Sequence, residues 1–90
     1  MSRMQSDEHI CYRCKTYVAH PDKHHCLNGL GYRDKCEADQ LFVFMHHQCH
    51  MMIHNKNQEL RKLKAKAQEV FEKEIGSREE FIERYGKSYL

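Results

Sequence analysis

Eight histidines and five cysteines fall within 90 residues, and seven of those histidines lie between positions 20 and 54. Imidazole at that density is not packing material, because each ring carries two polar nitrogens that must find a partner when buried. A chain this short buries only about 60% of its unfolded surface. Four Phe, five Tyr and scattered aliphatics therefore make a marginal core, and small domains of this kind add disulfides or a structural metal. The odd number of cysteines, the absence of an apolar leader after Met1 and the histidines near the cysteines favour reduced thiolates on a metal. They predict a cytoplasmic protein. No apolar run approaches the roughly 20 residues that cross a bilayer, so no membrane partner is expected.

The net charge of +2 argues only weakly for a polyanionic partner. Locally, residues 61–66, "RKLKAK", place four cations in six positions, and Arg33 and Lys35 follow the adjacent pair His24-His25. "RKLKAK" reads either as a solvated helix face or as a phosphate-facing stripe, the second requiring a reactive site nearby.

Along the chain, residues 1–9 lack periodicity and read as a mobile tail. Residues 10–20, "ICYRCKTYVAH", read as a Cys-x-x-Cys knuckle. Pro21-Asp22 is a turn signal, and Gly29 and Gly31 predict an irregular loop over residues 26–40 with a short helix near Lys35–Ala38. "LFVFM", 41–45, has the length of a strand. His50 and His54, four apart, share one face of a helix. From Asn57 the steps Leu60, Leu63, Ala67, Val70 and Phe71 are helical, with Gly76 placed as a C-cap. Ser77 to Glu80 reads as a capping box opening a last helix with Phe81, Ile82 and Tyr85 on its apolar face and Gly86 at its end. The expected organisation is a tail (1–9), a core (10–56) and a helical extension packed on it (57–90), an α+β arrangement.

Two ligand sets can be drawn from these residues. Cys11 and Cys14 with His46 and Cys49 form two pairs with two-residue spacers, about thirty residues apart, and suit a closed tetrahedral zinc. His47, Cys26 or Cys36 could stand in for His46; otherwise Cys26 and Cys36 are core thiols. The second set is His24, His25, His50 and His54. Consecutive side chains of an extended strand face opposite sides, so one of His24 and His25 can be a ligand while the other stays free to take a proton. Three imidazoles leave open positions on a divalent ion, as a catalytic site requires.

This pattern resembles the HNH, or ββα-metal, endonuclease family. There a His-His pair ends a first strand, a loop leads to a second strand, and a helix bears two histidines four apart after a Cys-His step. The matching residues are His24-His25, "LFVFM", Cys49-His50 and His54. The resemblance implies a small ββα-metal fold with a zinc knuckle on Cys11, Cys14, His46 and Cys49. It implies His25 as general base and a catalytic Mg2+, Mn2+ or Zn2+ on His24, His50 and His54. The family's middle asparagine would fall near Leu41, where there is none; Asp39 and Gln40 are the candidates to brace the loop and orient the base.

Over nearly the whole chain, "HHCLNGLGYRDKCE", "CH..IHN" and "FEKEIGSREEFIERYGKSYL" resemble small phage-encoded HNH proteins related to the RecA-dependent nuclease family. That likeness implies phage or prophage origin, a DNA substrate in the bacterial cytoplasm, and work alongside a recombinase of the RecA type. Arg33 is the candidate for gripping phosphate, since its fork matches two oxygens; a surface ion pair is the alternative. The oligomeric state is not legible. Two rival readings stand beside the nuclease: a non-enzymatic zinc module that binds nucleic acid or protein, and an interaction protein docking through its C-terminal helices.

Overall fold

The computed structural model describes residues 1–90. It is an α+β arrangement of two strands and four helices: β1 (Asp22–His25), α1 (Tyr32–Asp39), β2 (Phe42–Met45), α2 (His47–Ile53), α3 (Asn57–Glu74) and α4 (Arg78–Tyr85). No helix is long and apolar enough to cross a membrane.

β1 and β2 pair antiparallel, with Asp22 opposite Met45, Lys23 opposite Phe44, His24 opposite Val43 and His25 opposite Phe42. All four residues of β2 are buried. Its outer edge is covered without a third strand: the Phe44 amide donates to Gln5 Oε1 (2.8 Å), and the Tyr12 amide donates to the Phe44 carbonyl (2.8 Å). Ser2 donates to the Phe42 carbonyl and the Arg3 amide to that of Gln40 (2.9 Å). The mobile tail expected over 1–9 is thus tied down at residues 2–5, because β2 offers unpaired backbone groups that need partners.

The helix expected near Lys35–Ala38 is longer. It starts after Gly31 (φ 78°), and it stops at Gln40, which turns left-handed (φ 59°) and caps the carbonyls of Cys36 and Glu37. On α3, Leu63, Ala67 and Phe71 are buried, with Leu60 and Val70 packed beside them, as the three- and four-residue steps require. Gly76 is not a left-handed cap; Ile75 ends the helix with its amide on the Phe71 carbonyl (2.8 Å), and the Gly76 amide shares that acceptor (3.0 Å). Gln68, fully buried on α3, is satisfied by Glu72, by Ser88 and by the Tyr89 amide, which fastens the C-terminus.

The Ser77–Glu80 capping box is present, and Gly86 ends α4 at φ 92°. Phe81 and Tyr85 are buried, with the Phe81 ring 5.3 Å from Phe71 and 5.0 Å from Tyr85. Ile82, expected on the same face, is 39% exposed, since two helical turns present only a narrow stripe. From this seam Asp39, at the end of α1, accepts from Arg84 Nε (2.6 Å) and Tyr85 OH (2.6 Å). Phe81→Ala is expected to cost about 3–5 kcal/mol, the usual range for emptying a buried aromatic site. Urea unfolding would show it as a lower midpoint with an unchanged slope.

Candidate metal centres

The Cys-x-x-Cys step folds as a knuckle. The Lys15 amide donates to the Cys11 carbonyl (2.8 Å), the Cys11 amide to that of Thr16 (2.8 Å), and Ile10 bridges to Tyr17. Lys15 takes the left-handed conformation (φ 64°) that such a tight reversal demands. The end of β2 then delivers the second half: His46 caps α2, and Cys49 lies in its first turn.

One ligand atom from each of Cys11, Cys14, His46 and Cys49 lies within 4.8 Å of the others, so the four could hold a metal such as zinc. His46 Nε2 is 3.0 Å from the Tyr17 carbonyl, which can only accept; Nε2 is therefore the protonated nitrogen, and Nδ1 faces Cys14 Sγ at 3.4 Å. A tetrahedral zinc with bonds near 2.3 Å to sulfur and 2.0–2.1 Å to nitrogen has ligand-to-ligand edges of roughly 3.3–3.8 Å, and this separation fits.

Burial alone would raise the Cys11 thiol, but hydrogen bonds from the Cys14 and His46 amides outweigh it and bring it down to about 6. The Thr16 hydroxyl and amide lower Cys14. Burial, with neighbouring Cys11 and Cys14, raises Cys49, and hydrogen bonding to Cys11 and Cys14 raises His46. The cluster thus concentrates thiolate character at two of its three sulfurs. None of the stand-ins for His46 joins it: His47 turns to Asp22, Cys26 Sγ packs against Met4 Sδ (3.3 Å), and Cys36 Sγ points to the Leu27 carbonyl.

A second cluster joins β1 to α2. His24, 3% exposed, directs Nδ1 to within 3.3 Å of His50 Nε2, and His54 closes the group, with all three ligand atoms within 4.8 Å of one another. Burial draws His24 down to about 4, and the nearby His50 and His54 add to the effect, so its ring is held in the neutral form that a metal ligand needs. The 3.3 Å separation also matches a tetrahedral edge for two nitrogen ligands.

Behind His50 stands a residue that the sequence presented only as half of a turn signal. Asp22, on the His24 face of β1, accepts from His50 Nδ1 (3.1 Å) and His47 Nδ1 (2.7 Å). Because a carboxylate only accepts, His50 must carry its proton on Nδ1, which leaves the Nε2 lone pair facing the cluster. Such outer partners fix the tautomer of metal-binding histidines. The bonds from His50 and then His47 hold the Asp22 carboxyl below its ordinary range. A period-2 reading from His24 back to Asp22 was the available signal.

His25 lies on the other face of β1, with its ring 6.1 Å from that of Phe42 and Nε2 2.8 Å from Glu37 Oε1. Glu37 also receives Lys23 Nζ at 3.0 Å, and these bonds, His25 first, lower its carboxyl. Of the two stand-ins for a middle asparagine, Asp39 is engaged by Arg84 and Tyr85, and Gln40 is spent as the α1 cap. The residue that reaches His25 is instead Glu37.

His24, His25, His50 and His54 line one open cleft, with Arg33 on its wall. Arg33 is exposed, with no acidic side chain within ion-pair distance. The cleft loop approaches closely at Gly29, where a Cβ would sit 2.5 Å from the Tyr32 ring. In "RKLKAK", only Lys66 meets an acidic partner (Glu69, 4.0 Å), and Lys64 Nζ lies 5.5 Å from the centre of the Tyr89 ring.

No family model, curated protein or solved structure matches this chain.

Two outcomes follow for metal content and calorimetry. Cys11→Ser should lose tightly held zinc and melt well below wild type, whereas Cys26→Ser, outside the cluster, should keep the metal. Asp22→Ala should weaken the three-histidine centre by about 10–100-fold, as loss of an outer hydrogen-bond partner usually does, with the cysteine centre unaffected.

Proposed function

We propose that this chain is a metal-dependent DNA endonuclease of the ββα-metal kind, hydrolysing phosphodiester bonds in the cleft between β1, α1 and α2. One observation carries the reading: two consecutive histidines leave the strand on opposite faces, His24 into a three-imidazole cluster and His25 outside it, while both border the same cleft. The order of strand, intervening segment, strand and histidine-bearing helix also fits that family's plan.

His25 takes the proton from the attacking water. His24, His50 and His54 supply three neutral nitrogens, with Asp22 orienting His50. A divalent ion bound there supplies Lewis-acid polarisation of the phosphoryl group and charge stabilisation for the leaving 3′ oxygen. Arg33 offers two parallel donors to a non-bridging oxygen. Arg61, Lys62 and Lys64, which make no ion pairs, add phosphate contacts that hold any sequence alike, so little base preference is expected. A purely structural zinc module needs only the cysteine centre and leaves His25 without a use.

Plasmid nicking and metal titration of two alanine variants test the reading. His24→Ala should lose affinity for the cleft ion, and excess metal should partly restore cleavage. His25→Ala should keep the ion yet cleave roughly 10²–10⁴-fold more slowly, the usual worth of a general base. Equal loss of metal in the two variants, or full cleavage by His25→Ala, would sink the mechanism.

A further inference from the structure

We infer that Glu37 is the positioning residue for His25, holding the ring in the tautomer whose Nδ1 keeps its lone pair; its catalytic meaning rests on the nuclease reading above. The carboxylate accepts at 2.8 Å from His25 Nε2. A carboxylate has no proton to give, so Nε2 is the protonated nitrogen and Nδ1 the one left able to accept from water.

The carboxylate is itself held from two sides. Lys23 Nζ reaches the same oxygen at 3.0 Å, and Lys23 and His25, two apart, share one face of β1. The helix that carries Glu37 is fastened at its far end: Asp39 binds Arg84 and Tyr85, and Lys35 Nζ donates to the Arg84 carbonyl (2.9 Å). The Tyr32 ring sits 5.4 Å from that of Tyr85. Glu37 therefore meets His25 from a fixed helix rather than from a free loop. The half-exposed Lys23–Glu37 pair alone contributes little to stability, so a merely structural role would leave few traces when Glu37 is changed. An acidic group on the far nitrogen orients the histidine base of hydrolases in the same way. This supplies the orienting function for which the chain has no asparagine near Leu41.

Nitrogen-15 NMR of the zinc-loaded protein reads the tautomer of His25 directly, and nicking kinetics read its consequence. Wild type should show Nε2 protonated and Nδ1 bare. Glu37→Gln, whose amide oxygen still accepts, should keep that tautomer. Glu37→Ala should give a mixture of tautomers and a kcat lower by about 10–100-fold, with KM and the affinity of both metal centres little changed. Lys23→Met, which removes the other partner, should leave the tautomer as in wild type. An unmixed tautomer in Glu37→Ala, or equal mixing in Lys23→Met, overturns the inference. Absence of cleavage by wild type with every divalent ion would instead remove the nuclease reading, while the NMR result would still decide what Glu37 does to His25.

Discussion

Four cross-strand pairs decide what the histidines of this chain can do. The pleat of β1 against β2 sends Asp22 and His24 to the side of Met45 and Val43, and Lys23 and His25 to the side of Phe44 and Phe42. A slip of one residue would exchange the two sets, putting Lys23 among the imidazoles and His24 beside Glu37. Such a slip is opposed by burial on both faces of β2 and, along its outer edge, by the Gln5 side chain accepting from the Phe44 amide and the Tyr12 amide donating to the Phe44 carbonyl. A four-residue strand would be a weak ruler alone; gripped on both edges, it sets the register for both candidate ligand groups.

The helical half stands behind that ruler. Phe71, Phe81 and Tyr85 form an aromatic seam between α3 and α4, and Asp39 carries the seam's position across to α1. Because α1 presents both Arg33 and Glu37, residues near the end of the chain govern the far wall of the cleft. Asp39 is shielded from water, with a side chain only 12% exposed, so its bonds to Arg84 and Tyr85 are screened less than a surface pair would be. The C-terminal extension is thus part of the cleft's support.

Much of this was legible in residue order. The amphipathic run from Leu60 to Phe71, the Ser77–Glu80 box and the strand at 42–45 are local patterns, and local patterns survive folding. Cysteine and histidine spacing likewise pointed to the two groups that the fold brings together, since pairs separated by two or three residues move as units, but the choice of His24 over His25 came only from the family resemblance. What escaped was everything set by tertiary partners. Asp22 looked like a turn residue because its bonds run to His47 and His50, 25 and 28 positions away. Glu37 was hidden inside a helix expected to be shorter, while the bonds of Asp39 run to Arg84 and Tyr85 and the Gln40 amide caps α1. Residues 2–5 lack any periodicity, yet they are ordered by the unpaired edge of β2, a demand invisible in their own composition. Gly76 had the placement of a cap but not the conformation.

Helix α2 has one further consequence. Its seven residues, with His46 before them and His54 after, contribute His46 and Cys49 to one ligand group and His50 and His54 to the other. Cys49 and His50 are neighbours in sequence, so a rotation of this short cylinder that improves one group must disturb the other. The two groups therefore share one short structural element. Two ligand groups thus lean on one short helix, the knuckle's thiols meeting its first turn and the His24 ring its second half.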